Sequence, residues 1–370
     1  MKSILSFICI LLNIYLASSS FQTALFKEMN KKHLKKNLIV APLSAYLVLG
    51  FAANGADGKA LKEMTSVLDN ADIEEVNNIN KEIAISLKDF SSIEIANAIM
   101  YAVETKRIFP ITAMLYEIET EELKSVEQVN NWCKKSTHGK IEKILDSLDS
   151  KIVILLLNAI YFDGKFKIEF DKTKEDIFYN SNEKLLGTKV ELMTIEKEFS
   201  YFDDKTVQII ELPYDKDDLS AIIILPYENV NINEYIADLT DDKLPRLIKR
   251  MSSQKVYLEL PKFKIGFLGY LSEALKNMGM KIPFTSKADF TKYGENFYLS
   301  EVVQKIIFFM DNQKIKSSNI KNEINTTKNE AKRPSMIINR PFLFMLRSGK
   351  FPINYQILFM AKIDQIPSYN

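Results

Sequence analysis

Few residues of this chain have the types needed for nucleophilic, acid–base or metal chemistry. Apart from Cys9, which lies in an apolar N-terminal run, the 370 residues contain one cysteine, Cys133, and two histidines, His33 and His138. Cys133 and His138 stand five apart, the start of a thiol–imidazole pair. No third group is in evidence to orient the base, so Cys133 is read as a buried structural thiol. His33 sits among lysines and reads as solvated. A zinc site needs several converging ligands at regular spacing, and the composition does not supply them, so neither a metal nor a cofactor is expected. No Gly-x-Ser-x-Gly elbow, phosphate-binding glycine loop or Gly-x-Gly-x-x-Gly fingerprint occurs. These residues do not make an enzyme.

Three other features suit contact rather than catalysis. Lys27, Lys31, Lys32, His33, Lys35 and Lys36 cluster near the N-terminus. Of these, Lys31, Lys32, Lys35 and Lys36 form a candidate site for a polyanion such as a sulfated glycosaminoglycan, against the plainer reading of a solvated helix end. Asn325-Thr326-Thr327 is a glycosylation sequon, making Asn325 an accessible loop residue and a candidate glycan site in a secreted chain. It falls within FFMDNQKIKSSNIKNEINTTKNEAKRPS, Phe308 to Ser335, where more than twenty mostly polar residues interrupt two apolar segments. A compact domain seldom keeps a loop that long without a use for it, unless the loop is disordered.

Lys plus Arg number 49 and Asp plus Glu 48, a net charge of +1, which gives no reason to expect nucleic acid or an anionic membrane as partner. At the N-terminus, Lys2 precedes ILSFICILLNIYLA, and the small residues Ala17 to Ser20 follow. That order is the pattern of a secretory signal peptide cleaved after Ser19 or Ser20, and the run is too short for an ordinary membrane span. Residues 1–19 are thus expected to be a signal peptide and 20–370 one extracellular domain, since no linker or repeat divides the rest. Loss of Cys9 would leave Cys133 without an intramolecular disulfide partner.

FQTALFKEMNKKHLKKN, the helix–turn–helix AYLVLGFAANGADGKALKEMTSVL and VEQVNNWCKKSTHGKIEKIL carry helical spacing. KIVILLLNAIYF and EVVQKIIFFM are continuous apolar runs suited to strands buried on both faces. QIIELPY, LSAIIILPY and KVYLELPKFKI read as strands closed by proline, SEALKNMGM as a short helix stopped at Gly279, and RPFLFML and YQILFMAKI as the last strands. Helices early and strands late indicate an α+β domain with large sheets.

With these segments in place the chain resembles the serpins over residues 21 to 370. KNLIVAPLSAYLVLGFAANGADGKALKEM, VNNWCKKSTHGKIEKIL, LLNAIYFDGKF, IIELPYDKDDLSAIIILP, LELPKFKI, LKNMGMKIPFTSKADFTKY, NRPFLFMLRS and ILFMAKI match that family in order. The resemblance implies about nine helices around three β-sheets. It also implies a five-stranded sheet A and an exposed reactive loop after its fifth strand, where the polar stretch falls. In inhibitory members a protease cuts the loop, and the loop's first part inserts as a new central strand of sheet A.

The hinge that must insert aligns at Asn312, Gln313, Lys314, Ile315, Lys316, Ser317 and Ser318, continuing to Ile320. The family's usual Gly is Lys314, its Thr is Ile315, and its alanine run is Ser317, Ser318, Asn319 and Ile320. The inward set becomes Ile315, Ser317, Asn319, Lys321, Glu323 and Asn325; the other register buries Lys316. An unpaired buried charge costs several kcal/mol, so insertion should lose its race with hydrolysis. Phe166 in place of tryptophan, Ala41 in place of serine and Gln304 in place of histidine are further departures, and the segment from Ala96 to Asn130 is short enough to trim its helix and strand. The expected function is a secreted, monomeric, non-inhibitory serpin that binds an extracellular protein as a decoy or immune modulator. The alternative is a suicide-substrate inhibitor of a trypsin-like serine protease with its scissile bond near Lys328-Asn329.

Overall fold

The computed structural model describes residues 20–69, 71–88, 90–181, 187–310, 333–351 and 355–367. Its helices follow the apolar spacing of the early chain. α1 (Phe21–Asn30) buries Phe21, Leu25, Phe26 and Met29. α2 (Pro42–Gly55) starts on a proline and is apolar nearly all round, so it is buried nearly all round. α3 (Gly58–Val67), α4 (Ile73–Lys88), α5 (Ile108–Tyr116) and α6 (Val126–Ser136) complete the first third. α7 (Ile232–Ala237), α8 (Lys243–Arg250) and α9 (Ser272–Met278) come later, for nine α-helices among the described residues. Gly279 ends α9 at φ 121°, as expected of a left-handed cap. None of these helices is long and apolar enough to cross a membrane.

One sheet has five strands in the order β10 (Phe263–Tyr270), β11 (Leu299–Met310), β4 (Ile154–Phe162), β2 (Ile93–Tyr101), β3 (Glu119–Glu122). α5 and β3, the elements whose trimming the short segment suggested, are both present, at nine and four residues. β4 and β11 lie side by side and parallel; β4 is buried on both faces, as its near-continuous apolar sequence suggests, whereas β11 alternates, with Lys305, Ile307 and Phe309 only partly buried on its outer face.

The second sheet runs β1 (Leu38–Val40), β14 (Ile357–Ile363), β13 (Phe342–Ser348), β8 (Leu219–Pro226), β7 (Val207–Pro213), β6 (Thr188–Asp203), β9 (Ser252–Pro261), β12 (Ser335–Ile337), with β5 (Lys172–Phe178) also paired to β6. Of the three sheets expected, two run together here through β6. The first half of this strand pairs with β5 and its last residues with β7. One large core fills the space between the sheets and α1–α5, and a smaller one lies between the five-stranded sheet and α6.

The helix read from Val126 through Leu145 ends at Ser136. His138 and Gly139 take left-handed conformations (φ 48° and 76°), and the Gly139 amide returns to the Lys134 carbonyl at 2.7 Å. The Thr137 hydroxyl then accepts from the Ile141 amide at 3.0 Å, turning the chain over the sheet. Ile141, Ile144 and Leu145 are buried, which explains why their spacing looked helical.

Candidate functional site

The seam between β4 and β11 is where an added strand would enter, and its two faces differ. The register runs from Leu299 opposite Ile154 to Phe308 opposite Phe162. Alternation sends Leu156, Asn158, Ile160 and Phe162 of β4, with Val302, Gln304, Ile306 and Phe308 of β11, into the inner layer, all almost fully buried.

At mid-seam that layer is polar. The Gln304 side-chain oxygen accepts from the Ala41 amide at 2.8 Å, and its nitrogen donates to the Ala41 carbonyl at 3.0 Å and Asn158 Oδ1 at 3.4 Å. Asn158 Nδ2 donates to Asn97 Oδ1 at 2.5 Å, and Ser44 Oγ donates to the same oxygen at 2.8 Å. Ala41 precedes α2 and has no side-chain cap of its own, so the glutamine satisfies its backbone across the sheet. The Ala41 and Gln304 departures are therefore mates: a longer amide reaches the backbone and keeps the seam hydrogen-bonded.

The end of the seam nearest the polar stretch is aromatic. Phe162 and Phe308 stack at 5.5 Å, Phe308 meets Phe344 at 4.6 Å, and Phe162 meets Tyr214 edge-on at 5.1 Å. Phe166 stacks on Tyr214 at 4.6 Å and is 5% exposed, so it fills its place although smaller than tryptophan. Gly164 is required by close approach, since a Cβ there would come within 2.4 Å of the Phe162 ring. On the outer face Tyr161 meets Phe309 at 5.4 Å, with Lys140 and Lys264 over the two rings. Further along that face α6 and the residues after it cover the sheet with Val129, Trp132, Cys133 and Ile141.

The hinge residues Asn312 to Ser318, the sequon Asn325 and the bond Lys328–Asn329 all lie outside the described residues, as do residues 1–19. The far end of the loop is described. Arg333 Nη1 lies 3.0 and 2.8 Å from the two oxygens of Glu196, the Pro334 carbonyl accepts from the Tyr257 amide at 3.0 Å, and β12 then pairs with β9. The loop thus leaves from the aromatic end of the seam and returns to a pinned edge of the second sheet.

Cys133 is fully buried and burial pushes its thiol up to about 12, so it is inert as a nucleophile at neutral pH. His138 is exposed and its Nδ1 lies 3.4 Å from Glu94 Oε2, so its nearest charged partner is a carboxylate. Lys31, Lys32, Lys35 and Lys36 are exposed around the turn from α1 to β1. Lys31 pairs with Glu28 and Lys32 with Glu273, which spends part of the charge a polyanion would need. The turn is held from below by the buried ammonium of Lys362, which donates to the His33 and Leu34 carbonyls and to Asn233 Oδ1. Sequence reasoning missed Lys362 and the Arg333–Glu196 pair; both contacts join residues more than 100 positions apart.

Comparison with known proteins agrees with this architecture. The serpin (serine protease inhibitor) family model matches residues 16–366. Iripin-2 of Ixodes ricinus is 27% identical over 356 residues, covering 90% of this chain and 88% of the relative. Serine protease inhibitor 42Dd of Drosophila melanogaster is 28% identical over 303 residues, covering 76% and 80%. Among solved structures, native tengpin, a thermophilic serpin, superposes with a TM-score of 0.82 at 30% identity, covering 96% of this chain and 94% of tengpin. Thyroxine-binding globulin in complex with thyroxine does so at 0.83 and 20% identity, covering 96% and 100%. A match this long, on a five-stranded sheet with a closed central seam, places the chain in the serpin family.

Proposed function

We propose that this chain is a secreted serpin that acts by binding an extracellular partner, as a decoy or immune modulator, and not by trapping a protease. The observation that carries this reading is the mismatch between the loop's sequence and the slot it would fill. A strand entering between β4 and β11 sends every second side chain into the layer of Ile160, Phe162, Ile306 and Phe308. The loop offers Lys321 and Glu323 in one register and Lys314 and Lys316 in the other. Among the described residues of that layer the polar groups are Asn158 and Gln304, and both amides are engaged. Unpaired buried charges cost several kcal/mol each after relaxation, so hydrolysis of the acyl-enzyme outruns insertion. The fold is compatible with a carrier role, as the thyroxine-binding globulin complex illustrates.

A second reading, suicide inhibition of a trypsin-like protease at Lys328–Asn329, draws support from a relative named as a serine protease inhibitor and from the closed, five-stranded form of the sheet. Incubation with trypsin-, chymotrypsin- and elastase-like proteases separates the two. The expected result is a chain cut within residues 311–332, no SDS-stable complex and no large rise in melting temperature. An SDS-stable covalent complex with any of these proteases would overturn the non-inhibitory reading.

A further inference from the structure

The helix α5, IFPITAMLY, has no charged side chain, and a helix apolar on every side belongs inside a protein. Only one side of it is inside. Phe109, Thr112, Ala113 and Tyr116 are buried, while Ile108, Ile111, Met114 and Leu115 face solvent. Met114 and Leu115 are 79% and 72% exposed, the two highest values among the large apolar side chains described. The four recur at three- and four-residue spacing and so line one arc of the helix. α2, equally apolar, is buried nearly all round.

The charges at the two ends of α5 are the wrong way round for an isolated helix. A helix N-terminus carries partial positive charge and its C-terminus partial negative charge, so acids suit the first and bases the second. Here Arg107 is the N-cap residue and makes no capping bond, Glu117 is the C-cap residue, and the first turn has no acid and the last no base. Arg107 is exposed and has no ion pair among the described residues. Glu117 also holds φ 55°, a left-handed value that glycine takes at less cost. Its pairing with Lys88 of α4 joins two well-exposed side chains and contributes little.

We propose that α5 is a self-association surface, on which a second copy of this chain lays its own α5 antiparallel about a two-fold axis, in place of the monomer expected from the sequence. Such a contact is isologous, so each end of one helix meets the opposite end of the other. Arg107 then lies beside Glu117 of the partner subunit, and Glu117 beside Arg107 of the partner subunit. Both charges, unfavourable to their own helix, suit the helix end across from them, and the four apolar side chains cover their counterparts. The nine-residue helix is about 14 Å long and covers less than the roughly 800 Å² per partner of a standard interface. The dimer is therefore weak, forming at micromolar concentrations or above. Tyr101, which precedes α5, lies opposite Ile154, at the other end of the five-stranded sheet from Phe162 and Phe308. A dimer joined at α5 leaves the aromatic end of each copy open, and two joined copies bind a partner with paired sites more tightly than one.

Sedimentation velocity of the purified full chain, from about 5 to about 500 µM, reads the association. A concentration-dependent monomer–dimer equilibrium is expected, and a monomer throughout overturns the proposal. Arg107→Glu and Glu117→Arg should each weaken the dimer about tenfold or more, since each brings like charges together twice per dimer. One variant then has acids at both ends of α5 and the other has bases, so an equimolar mixture should dimerise again as a heterodimer. Association through any other surface would ignore both reversals; that result, or a mixture no stronger than either variant alone, overturns the antiparallel contact. Met114→Ser combined with Leu115→Ser, at exposed positions, should abolish the dimer, and a dimer that survives it also overturns the proposal. If the parent stays monomeric but binds phosphatidylcholine vesicles, and the double serine change removes that binding, the face serves lipid and not a second copy.

Discussion

Gln304 carries more of the seam than its neighbours because it serves three partners at once. Its amide closes both backbone groups of Ala41 and reaches Asn158, in a layer where no solvent competes. Gln304→Ala would leave the Ala41 amide proton without a partner and open a cavity beside Asn158. The expected cost is about 2–4 kcal/mol, read as a lower urea midpoint. A change under 0.5 kcal/mol would show that water replaces the amide freely. The sequence exposed Gln304 and Ala41 as two separate departures from the family pattern. It did not expose them as a pair, since the contact spans 263 positions and no local spacing encodes it. Cys133 was legible, by contrast, because its apolar neighbours at three-and-four spacing define a buried helix face by themselves.

Elements were legible where apolar residues set a clear period, and illegible where tertiary contacts overrode it. β4 could be read because both its faces are buried and its sequence is nearly all apolar, and β11 because its run Ile306–Met310 is apolar even though its outer face is only partly buried. β6 was missed: its sixteen residues, TKVELMTIEKEFSYFD, mix charges into half-exposed positions as the strand passes between partners. The stretch after α6 was misread as helix because its apolar residues must face the same sheet as the helix does. Asn130 holds that stretch down. Its Oδ1 accepts from the Ile144 and Leu145 amides at 2.9 and 3.0 Å, and its Nδ2 donates to the Leu145 carbonyl at 2.9 Å. Asn130→Ala should free these groups and raise amide hydrogen exchange in residues 141–148 about tenfold or more, while β4 keeps its protection. Unchanged exchange at Ile144 and Leu145 would mean that apolar packing alone fixes the segment.

At the scale of the whole molecule, inhibition requires one sheet to open and reclose around a sixth strand, and the balance of that event depends on what enters. Opening breaks the β4–β11 ladder and parts two aromatic pairs, Phe162–Phe308 and Tyr161–Phe309. A new strand bonded on both sides can offset this only if its inward side chains suit an apolar layer. Replacing Lys314 by Gly, Ile315 by Thr, and residues 317–320 by Ala repairs the hinge but leaves Lys321 and Glu323 to be buried. Those two charges still oppose complete insertion by several kcal/mol each. The hinge-only variant is therefore expected to be cut without a large rise in melting temperature. Adding Lys321→Ala and Glu323→Ala should let the cut loop enter, so that cleavage now raises the melting temperature markedly and SDS-stable complexes appear with a trypsin-like protease. If the hinge-only variant already shows that rise, the charges beyond Ile320 are tolerated and the block is confined to Lys314–Ile320. If neither variant shows it, the obstacle lies in the scaffold, and the aromatic end of the seam, with Phe166 in its tryptophan's place, becomes the first position to revert.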